Sequence, residues 1–333
     1  MDRSSHLSVI LDLCPTQWLL SAQPSNPHPL SFDTFLSHLL VFLNSHIAYK
    51  HENSLAIFGA LPGKSLLFYS SEEAGDPSTA EVVQPDPNSY RFFKTVDQSL
   101  VRRISREFDI LGQPDTEEPC ALVGALTKAI CYINRLLHPA QSLSSPEDSA
   151  NLPDPRILIL SVSPDASNSY IPIMNSIFSA QKLKITIDVC KTFGPDSVFL
   201  QQAAYLTGGS YIYLEHREAL LQYLVMSFLP TPSIRKIITV PTEDKTDFRA
   251  ACFCHKHVVD VGYVCSVCLS IFCQPVPVCS TCRTKFPMKT LQRLNMTRAS
   301  SLTGTGASQP SASRPTNGTP AKQVYTGLAA NLR

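Results

Sequence analysis

Arg156-Ile-Leu-Ile-Leu-Ser-Val162 is an almost unbroken apolar run. A strand with one wet face alternates apolar and polar residues. A strand apolar on both faces is covered on both, as in the interior of a parallel sheet flanked by helices. Working outward, Leu7-Ser-Val-Ile-Leu-Asp-Leu13 reads as a first strand of the same kind, and Lys184–Val189 and Ser210–Leu214 as later ones. Between them lie longer segments with apolar residues at helical spacing. Ser31 stands where it can cap a helix whose stripe is Phe32, Phe35, Leu36, Leu39, Leu43 and Ile47. Further helices are expected near Tyr90–Phe108, Pro119–Leu137 (stripe Leu122, Leu126, Ala129, Ile130, Ile133, Leu137), Ser169–Gln181 and Glu215–Phe228. Another opens near Pro195 and ends at Gly208-Gly209. Ser54–Phe58 and Lys64–Ser70 read as two strands joined by the turn Gly59-Ala-Leu-Pro-Gly63, which places one antiparallel strand at a sheet edge. About six strands alternating with about six helices define an α/β, Rossmann-like, mostly parallel sheet flanked by helices.

The composition supports this. Of 333 residues, 44% are hydrophobic and 17% charged, enough to fill a core. There is no run of about 18 uncharged apolar residues, so no membrane span is expected. Asp12 interrupts the first apolar run, unlike the central segment of a secretory signal, so an intracellular location is expected. Net charge is +1, unevenly spread. Residues 283–333 hold eight Lys or Arg and no Asp or Glu, a charge of +8, which leaves −7 on residues 1–282. Such a tail suits nucleic acid or an acidic protein surface, or is simply solvated.

Seven of the eleven cysteines fall between Cys252 and Cys282. Cys265-Ser-Val-Cys268 and Cys279-Ser-Thr-Cys282 form a Cys-x2-Cys-x10-Cys-x2-Cys pattern. Each Cys-x2-Cys turn brings two thiolates to one ion, and two turns complete a tetrahedral shell. With no open position, such a zinc is structural, and it staples a segment too poor in large apolar residues to fold alone. Cys252, Cys254, His255, His257 and Cys273 form a second set of candidates, in which Cys254-x2-His257 has ligand-pair spacing. Three clean pairs fall short of the eight ligands of a cross-braced ubiquitin-ligase module. The expected organisation is a sheet domain over 1–228, a Pro-punctuated connector over 229–249 with an extended stretch at Lys236–Val240, a zinc module over 250–290 and a basic, unstructured tail over 291–333.

Catalytic motifs fail on inspection. Gly59-Ala-Leu-Pro-Gly63-Lys64-Ser65 is one residue short of a phosphate loop and leads into a strand rather than a helix. No Gly-x-Gly-x-x-Gly follows the first strand. His6, His38 and His46 read as packing or surface residues, and no enzymatic activity is expected. At the C-terminal strand ends, where open sheets bind ligands, stand Asp12-Leu-Cys14-Pro-Thr16 and Ser163-Pro-Asp165.

On these residues the chain resembles the von Willebrand factor A domain, whose Asp-x-Ser-x-Ser loop forms a metal-ion-dependent adhesion site. Asp12, Cys14 and Thr16 align with that loop. Cys14 offers a soft sulfur where Mg²⁺ prefers oxygen, so the site reads as degenerate, with Asp12 and Asp165 as remnants. Leu200-Gln-Gln-Ala-Ala-Tyr-Leu-Thr-Gly-Gly-Ser-Tyr211 is similar to the passage from the last helix to the last strand of such domains. Joined to Gly262-Tyr-Val-Cys-Ser-Val-Cys-Leu-Ser-Ile-Phe-Cys273 and Cys279-Ser-Thr-Cys282, it resembles one family over residues 5–290: the smaller von Willebrand A-like subunits of general transcription and DNA-repair factor IIH. The resemblance implies a nuclear, non-catalytic scaffold in RNA polymerase II initiation and nucleotide excision repair. Its implied partners are the other subunits of the factor, chiefly the second von Willebrand A-like, zinc-containing one, with indirect contact to a repair helicase. The competing reading is a zinc-dependent nucleic-acid-binding module that uses the basic tail.

Overall fold

The computed structural model describes residues 4–72, 90–111, 118–137, 153–165, 170–235, 237–238, 246–289, 292 and 326–328. These fall into two compact units, Met1–Asp247 and Phe248–Arg333.

The first unit is built on a six-stranded sheet. Its strands are β1 (Ser5–Asp12), β2 (Ser54–Leu61), β3 (Lys64–Ser70), β4 (Asp154–Ser161), β5 (Thr186–Lys191) and β6 (Tyr211–Tyr213). Their order is β3-β2-β1-β4-β5-β6, and every pairing is parallel except β2 with β3. The apolar run at 156–162 is therefore a central strand, bonded on both edges. The expected antiparallel edge is there, but its turn is shorter than the glycines suggest. Gly59, Ala60 and Leu61 belong to β2, and only Pro62 and Gly63 (φ 69°) turn. Gly59 is needed for space: a Cβ there would lie 2.0 Å from the Phe68 ring.

The helices of this unit are α1 (Pro15–Ser21), α2 (Phe32–Tyr49), α3 (Arg91–Leu111), α4 (Leu122–Leu137), α5 (Tyr170–Lys182), α6 (Val198–Thr207), α7 (Leu220–Tyr223) and α8 (Pro232–Arg235). Ser31 does cap α2, its hydroxyl accepting from the Thr34 amide at 3.2 Å. The helix expected to open near Pro195 begins just beyond it, capped by Ser197, and Gly208 ends it in the left-handed region. Side chains alternate across a strand. Leu7, Val9 and Leu11 of β1 join one core with Phe35, Leu39 and Leu43 of α2 and Val96, Leu100 and Ile104 of α3. The even residues face α4, where His6 stacks on Tyr132 with ring centroids 5.5 Å apart. The helix expected over Glu215–Phe228 is broken into a 3-10 turn (Arg217–Ala219), α7 and a π turn (Leu224–Phe228). The carbonyls at its C-terminal end are taken up by two arginines. Arg156 and Arg235 both donate to the Phe228 and Pro230 carbonyls, and Arg235 also pairs with Asp188 at 2.8 Å. Of the extended stretch expected at Lys236–Val240, only Ile237 and Ile238 are among the described residues. Ile237 and Ile238 follow α8 as turn and bend, because their amides bond back to the Ile234 carbonyl. Among the described residues no helix is long and apolar enough to cross a membrane.

The second unit holds β7 (Ala250–Ala251), β8 (Val258–Val259), β9 (Tyr263–Cys265), β10 (Ile271–Phe272) and β11 (Thr326–Leu328). β7 pairs with β8 and β9 with β10, both antiparallel, and Val278 bridges Lys285 in the same sense. β11 lies in the tail expected to lack structure and pairs parallel to β9, its backbone completing that strand's free edge. Residues 73–89 and 138–152, and most of the tail expected to lack structure, lie outside the described residues.

Candidate metal centre

Three short hairpins of the second unit end in the same turn. In Cys265–Ser270, the Cys265 amide donates to the Ser270 carbonyl and the Leu269 amide to the Cys265 carbonyl, each at 2.9 Å, with Leu269 at φ 60°. In Cys279–Thr284, the Cys279 amide donates to Thr284 and the Arg283 amide to Cys279, again at 2.9 Å, with Arg283 at φ 60°. The turn sets the two cysteine side chains on the same side of a left-handed corner. The four sulfurs of Cys265, Cys268, Cys279 and Cys282 lie within 4.8 Å of one another. Cys265 and Cys282 sulfurs are 3.7 Å apart, and those of Cys268 and Cys279 3.6 Å. This cluster could hold a metal ion. Tyr263, Phe272 and Phe286 are buried around it, a very small core. Ser270 and Thr284, two residues past Cys268 and Cys282, place hydroxyls 3.1 Å from those sulfurs. The Ser270 hydroxyl holds the Cys268 thiol down at about 6, and the Thr284 hydroxyl lowers Cys282, so both lean toward thiolate, the ligating form.

A second group gathers Cys252, Cys254, His255 and Cys273, also within 4.8 Å. His257 is not among them. The expected Cys254-x2-His257 pairing fails because the His257 carbonyl accepts the Cys252 amide, so the turn is framed on Cys252 and His255 instead.

In the first unit, a crevice of about 310 Å³ opens at the C-terminal strand ends, lined by Cys14, Thr16, Cys120, Ser163 and Asp165 among others. Asp12 is not part of this lining; it is buried behind Cys120 and Ser163 and saturated with protein donors. Its carboxylate accepts from the Val162 amide (3.0 Å), the Ser163 amide (2.7 Å), the Ser163 hydroxyl (2.9 Å) and the Cys120 thiol (3.0 Å). The Cys120 thiol is pushed far up by burial and by the adjacent Asp12 charge, so it stays a donor. Lys191, fully buried, donates to the Ser163 carbonyl, and its ammonium faces Asp12 and Asp165. Asp165 is turned away to α6, where it accepts from the Ser197 hydroxyl and the Phe199 amide. Cys14 precedes α1 without capping it. Among the described residues, Asp12 and Asp165 are not part of a metal-ligand group. Sequence reasoning missed Lys191. A lysine at a strand end reads as solvated, and only the fold puts it opposite two aspartates.

The sheet order, its single antiparallel edge and the crevice at its C-terminal end define a von Willebrand factor A-like domain, followed by a cysteine-rich unit able to hold metal. Residues 4–283 match the family described as transcription factor Tfb4, and the chain belongs to that family. It is 40% identical over 294 residues to the general transcription and DNA repair factor IIH subunit tfb4 of Schizosaccharomyces pombe, covering 88% of this chain and 92% of the relative. It is 33% identical to subunit TFB4 of Saccharomyces cerevisiae, over 87% of this chain and 88% of that one. Among solved structures, the crystal structure of the TFIIH p34 N-terminal domain superposes with a TM-score of 0.56 at 28% identity, covering 68% of this chain and 98% of that chain.

Proposed function

We propose that this chain is a non-catalytic scaffold subunit of general transcription and DNA repair factor IIH, acting in the nucleus in RNA polymerase II initiation and nucleotide excision repair. The observation that carries this is the family match, which runs without a break from the first strand through Cys282, the last cysteine of the four-thiolate cluster. Both units are thus part of what the family shares. The A-like crevice fits a scaffold, because Asp12 is already satisfied by Val162, Ser163 and Cys120.

The ion at Cys265, Cys268, Cys279 and Cys282 is zinc. Four thiolates at the ends of two Cys-x2-Cys turns are the donor set of a closed tetrahedral zinc site, and softer or redox-active alternatives are not needed to hold so small a core together. The organisation is a von Willebrand A-like domain over 1–228, a connector over 229–249, a zinc module over 250–290 and a basic tail beyond. The partner is the second von Willebrand A-like, zinc-containing subunit of the factor, through which contact with a repair helicase is indirect.

The test is purification of the tagged full chain from nuclear extract, with partners identified and zinc counted. Co-purification with factor IIH subunits is expected, and Cys265→Ala with Cys268→Ala should weaken it. Unchanged assembly removes the zinc module from the interface. Recovery alone, with DNA binding that falls steeply with salt, favours the nucleic-acid reading based on the +8 tail.

A further inference from the structure

We infer that a second zinc ion is held by Cys252, Cys254, His255 and Cys273, and that its binding loop interleaves with that of the first. The ligand atoms are gathered: one from each residue lies within 4.8 Å of the others. The Cys254 and Cys273 sulfurs are 3.5 Å apart, and His255 Nδ1 is 3.2 Å from the Cys273 sulfur, which identifies Nδ1 as the ligating nitrogen.

The backbone makes an independent case. Cys252–His257 repeats the turn found at both halves of the first cluster. The Cys252 amide donates to the His257 carbonyl at 2.9 Å, the Lys256 amide donates to the Cys252 carbonyl at 2.8 Å, and Lys256 sits at φ 60°. Lys256, Leu269 and Arg283 occupy one position in three copies of one turn. A left-handed lysine, leucine or arginine costs about 1–2 kcal/mol, so the conformation must be held by something the three turns have in common. In two of them that is a pair of ligands at the first and fourth positions. The third carries Cys252 and His255 at those positions, with Cys254 between them. Each turn caps its own hairpin or bridge: β7 with β8, β9 with β10, and Val278 with Lys285.

Cys273 completes the set from another element. It lies just past β10, and the Phe253 amide, inside the first turn, donates to the Ile271 carbonyl at 2.7 Å. That bond brings the first turn against the end of β10. Three thiolates and one imidazole form a closed zinc donor set. Binding displaces the thiol protons and leaves the site with one net negative charge, as three thiolates exceed the charge of the ion. Along the chain the ligands alternate: Cys252, Cys254 and His255 for one ion, Cys265 and Cys268 for the other, Cys273 for the first, then Cys279 and Cys282. The module is cross-braced, although only the four-cysteine pattern is regular enough to be seen in the sequence.

The experiment is metal analysis of the full chain by mass spectrometry, alongside stepwise replacement by Co²⁺. Two zinc ions per chain are expected, falling to one in Cys273→Ser and to one in the Cys265→Ser, Cys268→Ser double variant. The cobalt form of that double variant should keep tetrahedral d–d bands with weaker thiolate charge transfer than the four-thiolate site. If a variant does not fold, the wild-type count and the number of cobalt-binding steps still decide. One zinc per wild-type chain, unchanged in Cys273→Ser, overturns the second site and leaves the first standing. A Cys254–Cys273 disulfide in the native protein overturns it too, and no zinc at all overturns both sites.

Discussion

Asp12 ties the end of β1 to two of the residues that line the crevice, Cys120 and Ser163. It faces amides, a hydroxyl, a thiol and, across the Ser163 carbonyl, the buried ammonium of Lys191. Asp12→Ala removes the largest of the three carboxylate charges acting on the buried Lys191 ammonium and leaves Asp165 and Asp196, which should cost at most about 3–5 kcal/mol, read from the midpoint of denaturant unfolding. Adding Lys191→Met should return part of that loss, a non-additivity that purely local packing would not give. Two histidines of this unit are also buried. His6 and His46 are held down at about 4 by burial; the charges of His46 on His6 and of Arg156 on His46 lower them further. Unfolded, each titrates near 6.5, so between about 6.5 and 4 the unfolded chain binds more protons than the folded one. Stability is therefore full above about 6.5 and falls as pH drops through that window, by at most about 3 kcal/mol per histidine. Thermal unfolding of His6→Asn should show a flatter dependence there than the wild type. That these histidines pack was legible in their isolation from any catalytic pattern. The Asp12 carboxylate was legible as an anchor, whereas its counter-cation was not, since 178 residues of intervening chain separate the two.

At the scale of elements, Gly208 and Gly209 separate two causes that a glycine pair conceals. Gly208 sits at φ 73° with nothing within 4 Å of a Cβ, so Gly208→Ala should cost only the left-handed backbone penalty, about 1–2 kcal/mol. Gly209 would place its Cβ 1.9 Å from the Ile187 carbonyl oxygen of β5. Gly209→Ala should therefore push β6 away from β5 and destabilise markedly more, and comparing the two unfolding midpoints checks it. The parallel strands and the longer helices were readable because a doubly covered strand and an amphipathic helix leave distinct periods. The broken helix over 215–228 was not, since the carbonyls of Phe228 and Pro230 at its end are bonded by Arg235, just downstream, and by Arg156, more than 70 residues away in the chain. The look-alike phosphate loop at Gly59–Ser65 is settled by its neighbours: Lys64 pairs with Glu107 and Gly59 makes room for Phe68.

At the scale of the whole molecule, the two units draw on different sources of stability. The first has a continuous apolar core of strands and helices, whereas the second has little beyond Tyr263, Phe272 and Phe286 around its cysteines. A strong zinc chelator should unfold the second unit and leave the first intact, seen by hydrogen exchange as loss of protection confined to residues after Asp247. Protection lost throughout would contradict it. The four-thiolate cluster was legible in spacing alone, but the first of the three turns was hidden, because its ligands are unlike and its partner cysteine stands by itself downstream. Lys191 has a last consequence. An ion in an open crevice exchanges with the cell, and its occupancy follows supply; a cation covalently attached to β5 does neither. A divalent ion approaching Asp12 and Asp165 from solution would meet a positive charge that is already in place and that nothing in solution can displace.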